Sequence, residues 1–190
     1  MRRKGMFAAL VATGVAALAV AAYALAGGAG TGFNHLSATL QGYQETPSIS
    51  TTGTADFTAD VAKDGQSVSW QMTYSNLQGN VTQSHIHFGQ RGVAGGISVF
   101  LCTNLGNGPA GTQACPPPPA TISGTFTAAD VLGTTAAIGL EAGNLAELIR
   151  AIRAGATYAN VHSTLRPGGE VRGQIRVQEP KPGPTGAPPK

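Results

Sequence analysis

Thr54-Ala55-Asp56-Phe57-Thr58-Ala59-Asp60-Val61 is followed, after Lys63-Asp64-Gly65, by Val68-Ser69-Trp70-Gln71-Met72-Thr73-Tyr74-Ser75, and these two runs decide the fold class. In the first, Ala55, Phe57, Ala59 and Val61 alternate with Thr54, Asp56, Thr58 and Asp60. In the second, Val68, Trp70, Met72 and Tyr74 alternate with Ser69, Gln71, Thr73 and Ser75. Successive side chains of a strand leave opposite faces, so a period of two buries one face and wets the other. Asp64-Gly65 between the runs is the turn chemistry that closes a hairpin. The two runs are therefore expected to pair as antiparallel strands.

Working outward, short runs of the same kind predict further strands at 34–41, 82–88, 97–102, 120–126, 136–140, 157–162 and 171–177. Many short strands separated by turn signals describe an all-β antiparallel sandwich or barrel. One helix interrupts them. Leu145, Leu148, Ile149 and Ile152 form a single apolar stripe, Asn144 and Glu147 have the spacing of a capping box, and Gly155 supplies the stop. A second short turn is expected at 128–132.

The ends differ in composition from this core. Arg2, Arg3 and Lys4 precede an apolar run from Met6 to Ala26 that ends in Ala24-Leu25-Ala26. That pattern reads as a signal peptide cleaved after Ala26, with an uncleaved N-terminal membrane anchor as the other reading. Residues 27–32 read as a flexible linker and 179–190, with Pro at 180, 182, 184, 188 and 189, as a disordered Pro-rich tail. The folded domain is expected over 33–178. Without Arg2, Arg3 and Lys4 the formal charge falls from +3 to zero, nine basic side chains against nine acidic ones. With no basic stripe and no run of stacking aromatics, nucleic acid is excluded as a partner. An exported chain meets an oxidising compartment, so Cys102 and Cys115 are expected to form a disulfide. Thiolate metal ligation would call for a Cys-x-x-Cys spacing instead.

Three of the four histidines fall in two segments, Ser84-His85-Ile86-His87-Phe88-Gly89 and Tyr158-Ala159-Asn160-Val161-His162-Ser163. On strands, His85 and His87 share one face, while Ile86 and Phe88 take the core side. Ala159 and Val161 put His162 on the non-core face with Tyr158 and Asn160. If the strands are neighbours, three imidazoles gather on a non-core surface and offer a ligand set suited to copper or zinc. Such binding would be lost as histidines protonate near pH 6. Glu170, Arg172 and Gln174 share a face that could bring them beside the imidazoles. Glu170 is then a carboxylate ligand or an acceptor fixing a tautomer, and Arg172 an orienting group. The alternative is a surface ion pair between Glu170 and Arg172. His35 is far away in sequence. The segment 89–96, rich in glycine, fits no nucleotide motif and reads as a rim or lid beside the histidines.

These residues resemble the CHRD domain, a module named after chordin and found in many bacterial exported proteins. The resemblance spans about 36–176. It is carried by Leu40-Gln41-Gly42-Tyr43-Gln44-Glu45-Thr46-Pro47, by Ser84-His85-Ile86-His87-Phe88-Gly89, and by Ala154–Ser163 running into Pro167-Gly168-Gly169-Glu170-Val171-Arg172-Gly173-Gln174-Ile175. Ser163 stands where the family usually has Thr. The resemblance implies an extracytoplasmic, immunoglobulin-like or Greek-key sandwich or barrel. Chordin's role against bone morphogenetic proteins does not carry over to a single copy without the accompanying cysteine-rich modules. His85-Ile86-His87-Phe88-Gly89 is also similar to the His-Val-His copper strand of copper–zinc superoxide dismutases, although the zinc loop and a fourth copper histidine are lacking.

The leading functional reading is thus a secreted or cell-envelope, non-enzymatic binding module with copper or zinc on His85, His87 and His162, and with Glu170, Arg172 and Asn160 in support. The second is an extracytoplasmic protein-interaction or structural domain whose histidines only stitch strands. The third is a copper-dependent redox enzyme. A membrane enters only through the N-terminal segment, if that segment is retained.

Overall fold

The computed structural model of the chain describes residues 34–178, and the expected export segment, linker and Pro-rich tail lie outside them. The strands are β1 (His35–Gln41), β2 (Thr54–Val61), β3 (Ser67–Ser75), β4 (Val81–Phe88), β5 (Gly96–Thr103), β6 (Ala120–Thr127), β7 (Thr157–Ser163), β8 (Val171–Gln174) and β9 (Arg176–Val177). They form one antiparallel sheet in the order β5-β4-β7-β8-β1-β2-β3-β6, with β9 paired to β1. The sheet curls into a nearly closed barrel. Across the remaining gap, the Gln113 amide donates to Leu101 O on β5 and to Ser123 O on β6. One side chain thereby ties the two edge strands together.

The β2–β3 hairpin forms as its alternation requires, in register from Thr54↔Ser75 to Val61↔Val68. Its turn is fixed by Gly65 N–H donating to Ala62 O and Gln66 N–H donating to Asp64 Oδ1. Phe57, Val68, Met72 and Tyr74 are buried inside the barrel with Leu36, Leu40, Ile86, Leu101, Phe126, Val161 and Ile175. Each such side chain stabilises the fold by about 1.5–3 kcal/mol relative to leaving it in water. Tyr74 satisfies its hydroxyl on Pro116 O at 2.6 Å.

The helix, α1 (Leu145–Arg153), buries Leu145, Leu148, Ile149 and Ile152 and leads into β7. Asn144 Oδ1 accepts from Glu147 N, as expected of an N-cap. The reciprocal half of the capping box does not form. Glu147 pairs with Arg150 instead, and Asn144 N–H donates to Glu141 O. The turn expected at 128–132 is a short 3-10 helix, Ala128–Asp130.

Two strand expectations need correction. The run 136–140 is a turn, not a strand. Thr134 N–H donates to Leu140 O, Ile138 N–H returns to Thr135 O, and Gly139 has φ 86°, so the segment folds on itself and presents no row of free groups to a sheet. Of its apolar residues Leu140 alone is buried; Ala136, Ala137 and Ile138 face solvent. The run 171–177 is divided at Ile175. β8 pairs with β7, whereas β9 pairs with β1, so the chain changes partner at this corner of the barrel. Cys102 and Cys115 form the expected disulfide, with Cα atoms 5.1 Å apart. No helix among the described residues is long and apolar enough to cross a membrane.

Candidate metal centre

β4 and β7 are hydrogen-bonded neighbours, which the sequence left open. Their register places His85 opposite Asn160, His87 opposite Tyr158 and Gln83 opposite His162. β8 continues the face, with Arg172 opposite Asn160 and Gln174 opposite Tyr158. Strand parity thus collects the three histidines, Tyr158, Asn160, Arg172 and Gln174 on one face, while Ile86, Ala159 and Val161 fill the barrel interior. Against β5, the register of β4 shifts on either side of the His85-Ile86 pair, the local irregularity by which a bulge re-aims a side chain.

This face is not a surface. His85, His87 and His162 are 0%, 7% and 6% exposed. The expectation of a solvent-facing cluster fails because loops roof the outer side of the sheet. The 89–95 segment lies across it, with Gly95 O on His87 Nδ1 at 2.9 Å, Gly95 N–H donating to Tyr158 OH, Gln90 O accepting from Arg172 and Gly89 O accepting from Gln174. The approach is close: a Cβ at Gly95 would fall 1.8 Å from Phe88 O. The turn after β7 covers the other end, with Pro167 O 2.9 Å from His162 Nδ1. Phe100 on β5 packs edge-on against His85, ring centroids 4.4 Å apart.

Within this enclosure the proton positions follow from the partners. A carbonyl oxygen can only accept, so His87 and His162 each carry a hydrogen on Nδ1 and a lone pair on Nε2. His85 Nδ1 stands 3.2 Å from His162 Nε2, and its own Nε2 is buried with no hydrogen-bond partner. One nitrogen from each of the three rings lies within 4.8 Å of the others. Three neutral imidazoles whose nitrogens converge in this way are a donor set for a transition-metal ion. The cluster could hold such an ion.

The rings are neutral over a wide pH range. Burial, followed by the proximity of His162 and His87, pushes His85 down to about 2. Burial pushes His87 down to about 4 against the opposing pull of the Gly95 carbonyl. Burial likewise lowers His162, against Pro167 O. Protonation of these rings therefore begins well below the pH 6 expected of solvent-exposed histidines.

The supporting residues divide. Asn160 reaches the cluster directly, its Oδ1 3.1 Å from His87 Nε2. Arg172 acts through an intermediary. Its guanidinium lies 3.4 Å from the Tyr158 ring centroid, and Tyr158 in turn stacks on His87 with centroids 4.7 Å apart and planes 1° from parallel. Among the described residues, Glu170 makes no hydrogen bond to an imidazole. Its Oε1 accepts from Thr51 Oγ1 and Gln78 N–H, anchoring two loops. Burial would raise its pKa, but the polar hydrogens of Ser163, Thr51 and the backbone of Gln78 and Gly79 nearby draw it below the ordinary value. The tautomer-fixing acceptors looked for in a carboxylate are the backbone carbonyls of Gly95 and Pro167, which have no signature in side-chain identity. His35 pairs with Asp60 at 2.9 Å, away from the site.

Sequence reasoning did not single out Glu45 as a site residue. It is buried against Gly169, and burial pushes its carboxyl up to about 7, against the opposing charge of Arg172. Its place in the stretch 40–47 was the available signal.

Neither a curated protein nor a solved structure matches the chain. The family model of the CHRD domain does, over residues 36–175, which takes in β1 from Leu36 onward, β2 to β8 and the three clustered histidines. By that match over most of its length, the chain belongs to the CHRD domain family.

Proposed function

We propose that this protein is an exported, non-enzymatic binding module that holds one transition-metal ion, copper or zinc, on His85, His87 and His162. The observation that carries this reading is the pair of Nδ1–carbonyl contacts at His87 and His162. Such acceptors fix the tautomer and orientation of metal-binding imidazoles and leave Nε2 as the donor. Tyr158, clamped between His87 and Arg172, adds rigidity to one ligand. Export, through a signal peptide or with the segment kept as an anchor, accords with the Cys102–Cys115 disulfide, a bond of oxidising compartments.

A second reading, a protein-interaction or structural domain of the cell envelope, has one observation in its favour. The His85–His162 contact joins distant parts of the chain without any metal. Copper and zinc titration of the purified protein, beside His85→Ala and His87→Ala variants shown to be folded by circular dichroism, separates the two. Stoichiometric binding lost in the variants supports the metal module. Unchanged binding in the variants, or no binding by the parent protein, overturns it and leaves the histidines as strand fasteners.

A further inference from the structure

Strand pairing does not account for the Asn160 amide. The residue is 2% exposed, and its Oδ1 lies 3.1 Å from His87 Nε2. The ring hydrogen of His87 is on Nδ1, given to the Gly95 carbonyl at 2.9 Å. A hydrogen on Nε2 as well would make a buried cation, which desolvation opposes. In this orientation two lone pairs therefore face each other, one on nitrogen and one on oxygen. A cation between them converts that repulsion into two bonds. Metal–nitrogen and metal–oxygen bonds of about 2.0–2.2 Å, at angles between about 95° and 110°, span about 2.9–3.6 Å between donors. The His85 Nδ1 to His162 Nε2 distance of 3.2 Å falls in the same range. Two separate pairs of atoms thus have the spacing of neighbouring ligands on one ion, and the three rings need only close in from their 4.8 Å limit.

We infer that Asn160 Oδ1 is the fourth ligand, completing an uncharged set of three nitrogens and one oxygen with His85 Nδ1, His87 Nε2 and His162 Nε2. This rests on the metal-binding reading above and extends it. Four protein donors in a roofed, buried site leave no open coordination position, the arrangement of a site that holds its ion rather than activates water on it. Asn160 stands on β7 midway between Tyr158 and His162, so the same strand supplies two ligands and the ring that supports a third.

The rival arrangement turns the amide over, so that Nδ2–H donates to His87 Nε2 and competes with the metal. Oxygen and nitrogen of an amide are told apart by such networks, and the two arrangements predict opposite responses. The experiment titrates the full protein and its Asn160→Ala and Asn160→Leu variants with Co(II) and with Zn(II), Leu being included because it keeps the volume if Ala disturbs the fold. As a fourth ligand, Asn160 gives the parent protein the intense visible absorption of four-coordinate Co(II). Both variants should lose or shift that band and bind Zn(II) about 10–100-fold more weakly, the range seen when groups that support a metal site are removed. Unchanged or tighter binding in the variants with an unaltered Co(II) spectrum overturns the inference while the three-histidine reading stands. No binding by the parent protein overturns both.

Discussion

Acidification of the metal-free protein from pH 7 to pH 5 tests the buried-neutral reading of the histidines most directly. His85 and His87 have folded-state values of about 2 and about 4, below the ordinary 6.5. The unfolded chain therefore takes up these protons first, and stability present above 6.5 is lost as the pH falls. At pH 5 each of the two rings costs the folded state about 2 kcal/mol relative to pH 7, or about 4 kcal/mol together. His162 is shifted in the same direction and adds to the loss. Glu45 works the other way. Its folded value of about 7 lies above the ordinary 4.5, so the folded protein binds that proton first and recovers about 2 kcal/mol over the same interval. Glu170, drawn below 4.5, titrates beneath this window. The parent protein should accordingly lose about 2 kcal/mol or somewhat more, a large part of a typical domain's 5–15 kcal/mol. In Glu45→Gln, where the offset is gone, the loss should grow to about 4 kcal/mol or more. Urea unfolding with a chelator present, at pH 7 and pH 5, reads both numbers as differences within each variant. A change below about 1 kcal/mol in Glu45→Gln would show that the imidazoles are not buried in neutral form, and the site reasoning would go with it.

Two further perturbations probe the surroundings. Gly95→Ala places a Cβ 1.8 Å from Phe88 O, so the 89–95 segment must lift and withdraw its carbonyl from His87 Nδ1. Metal affinity measured by chelator competition should fall about 10–100-fold, whereas an unchanged affinity would mean that this carbonyl does not orient the ring. Removing the disulfide by Cys102→Ala and Cys115→Ala frees a loop with a sequence separation of 13 and should cost about 3 kcal/mol in urea unfolding. A cost near zero would show that the Asn104 amide, which holds Val81 O and Cys115 O, already closes that loop.

The roof over the histidines bears on stability. The 89–95 segment, Pro167 and Phe100 shield the three rings from water. The same desolvation that keeps the rings unprotonated makes the domain sensitive to acid.

The sequence by itself determined what depends on near neighbours. Alternation in 54–61 and 68–75 placed the hairpin because a strand's side chains change face at every residue. Asn144 and the apolar stripe of 145–152 placed the helix because capping and helical periodicity act within a few residues, and the spacing of His85 and His87 fixed their common face. Where an apolar run had an alternative local closure, as at 136–140, periodicity alone misread it, because a turn stabilised by Thr134 and Gly139 does not depend on which faces are apolar. Tertiary structure decided what joins distant segments. The pairing of β4 with β7 brought His162 to the other two histidines, and loops closing over an outer sheet face turned an expected surface into an enclosure. Backbone carbonyls of Gly95 and Pro167 then took the orienting role looked for in Glu170. Every residue has a carbonyl, so only its placement in the folded chain reveals which ones face an imidazole.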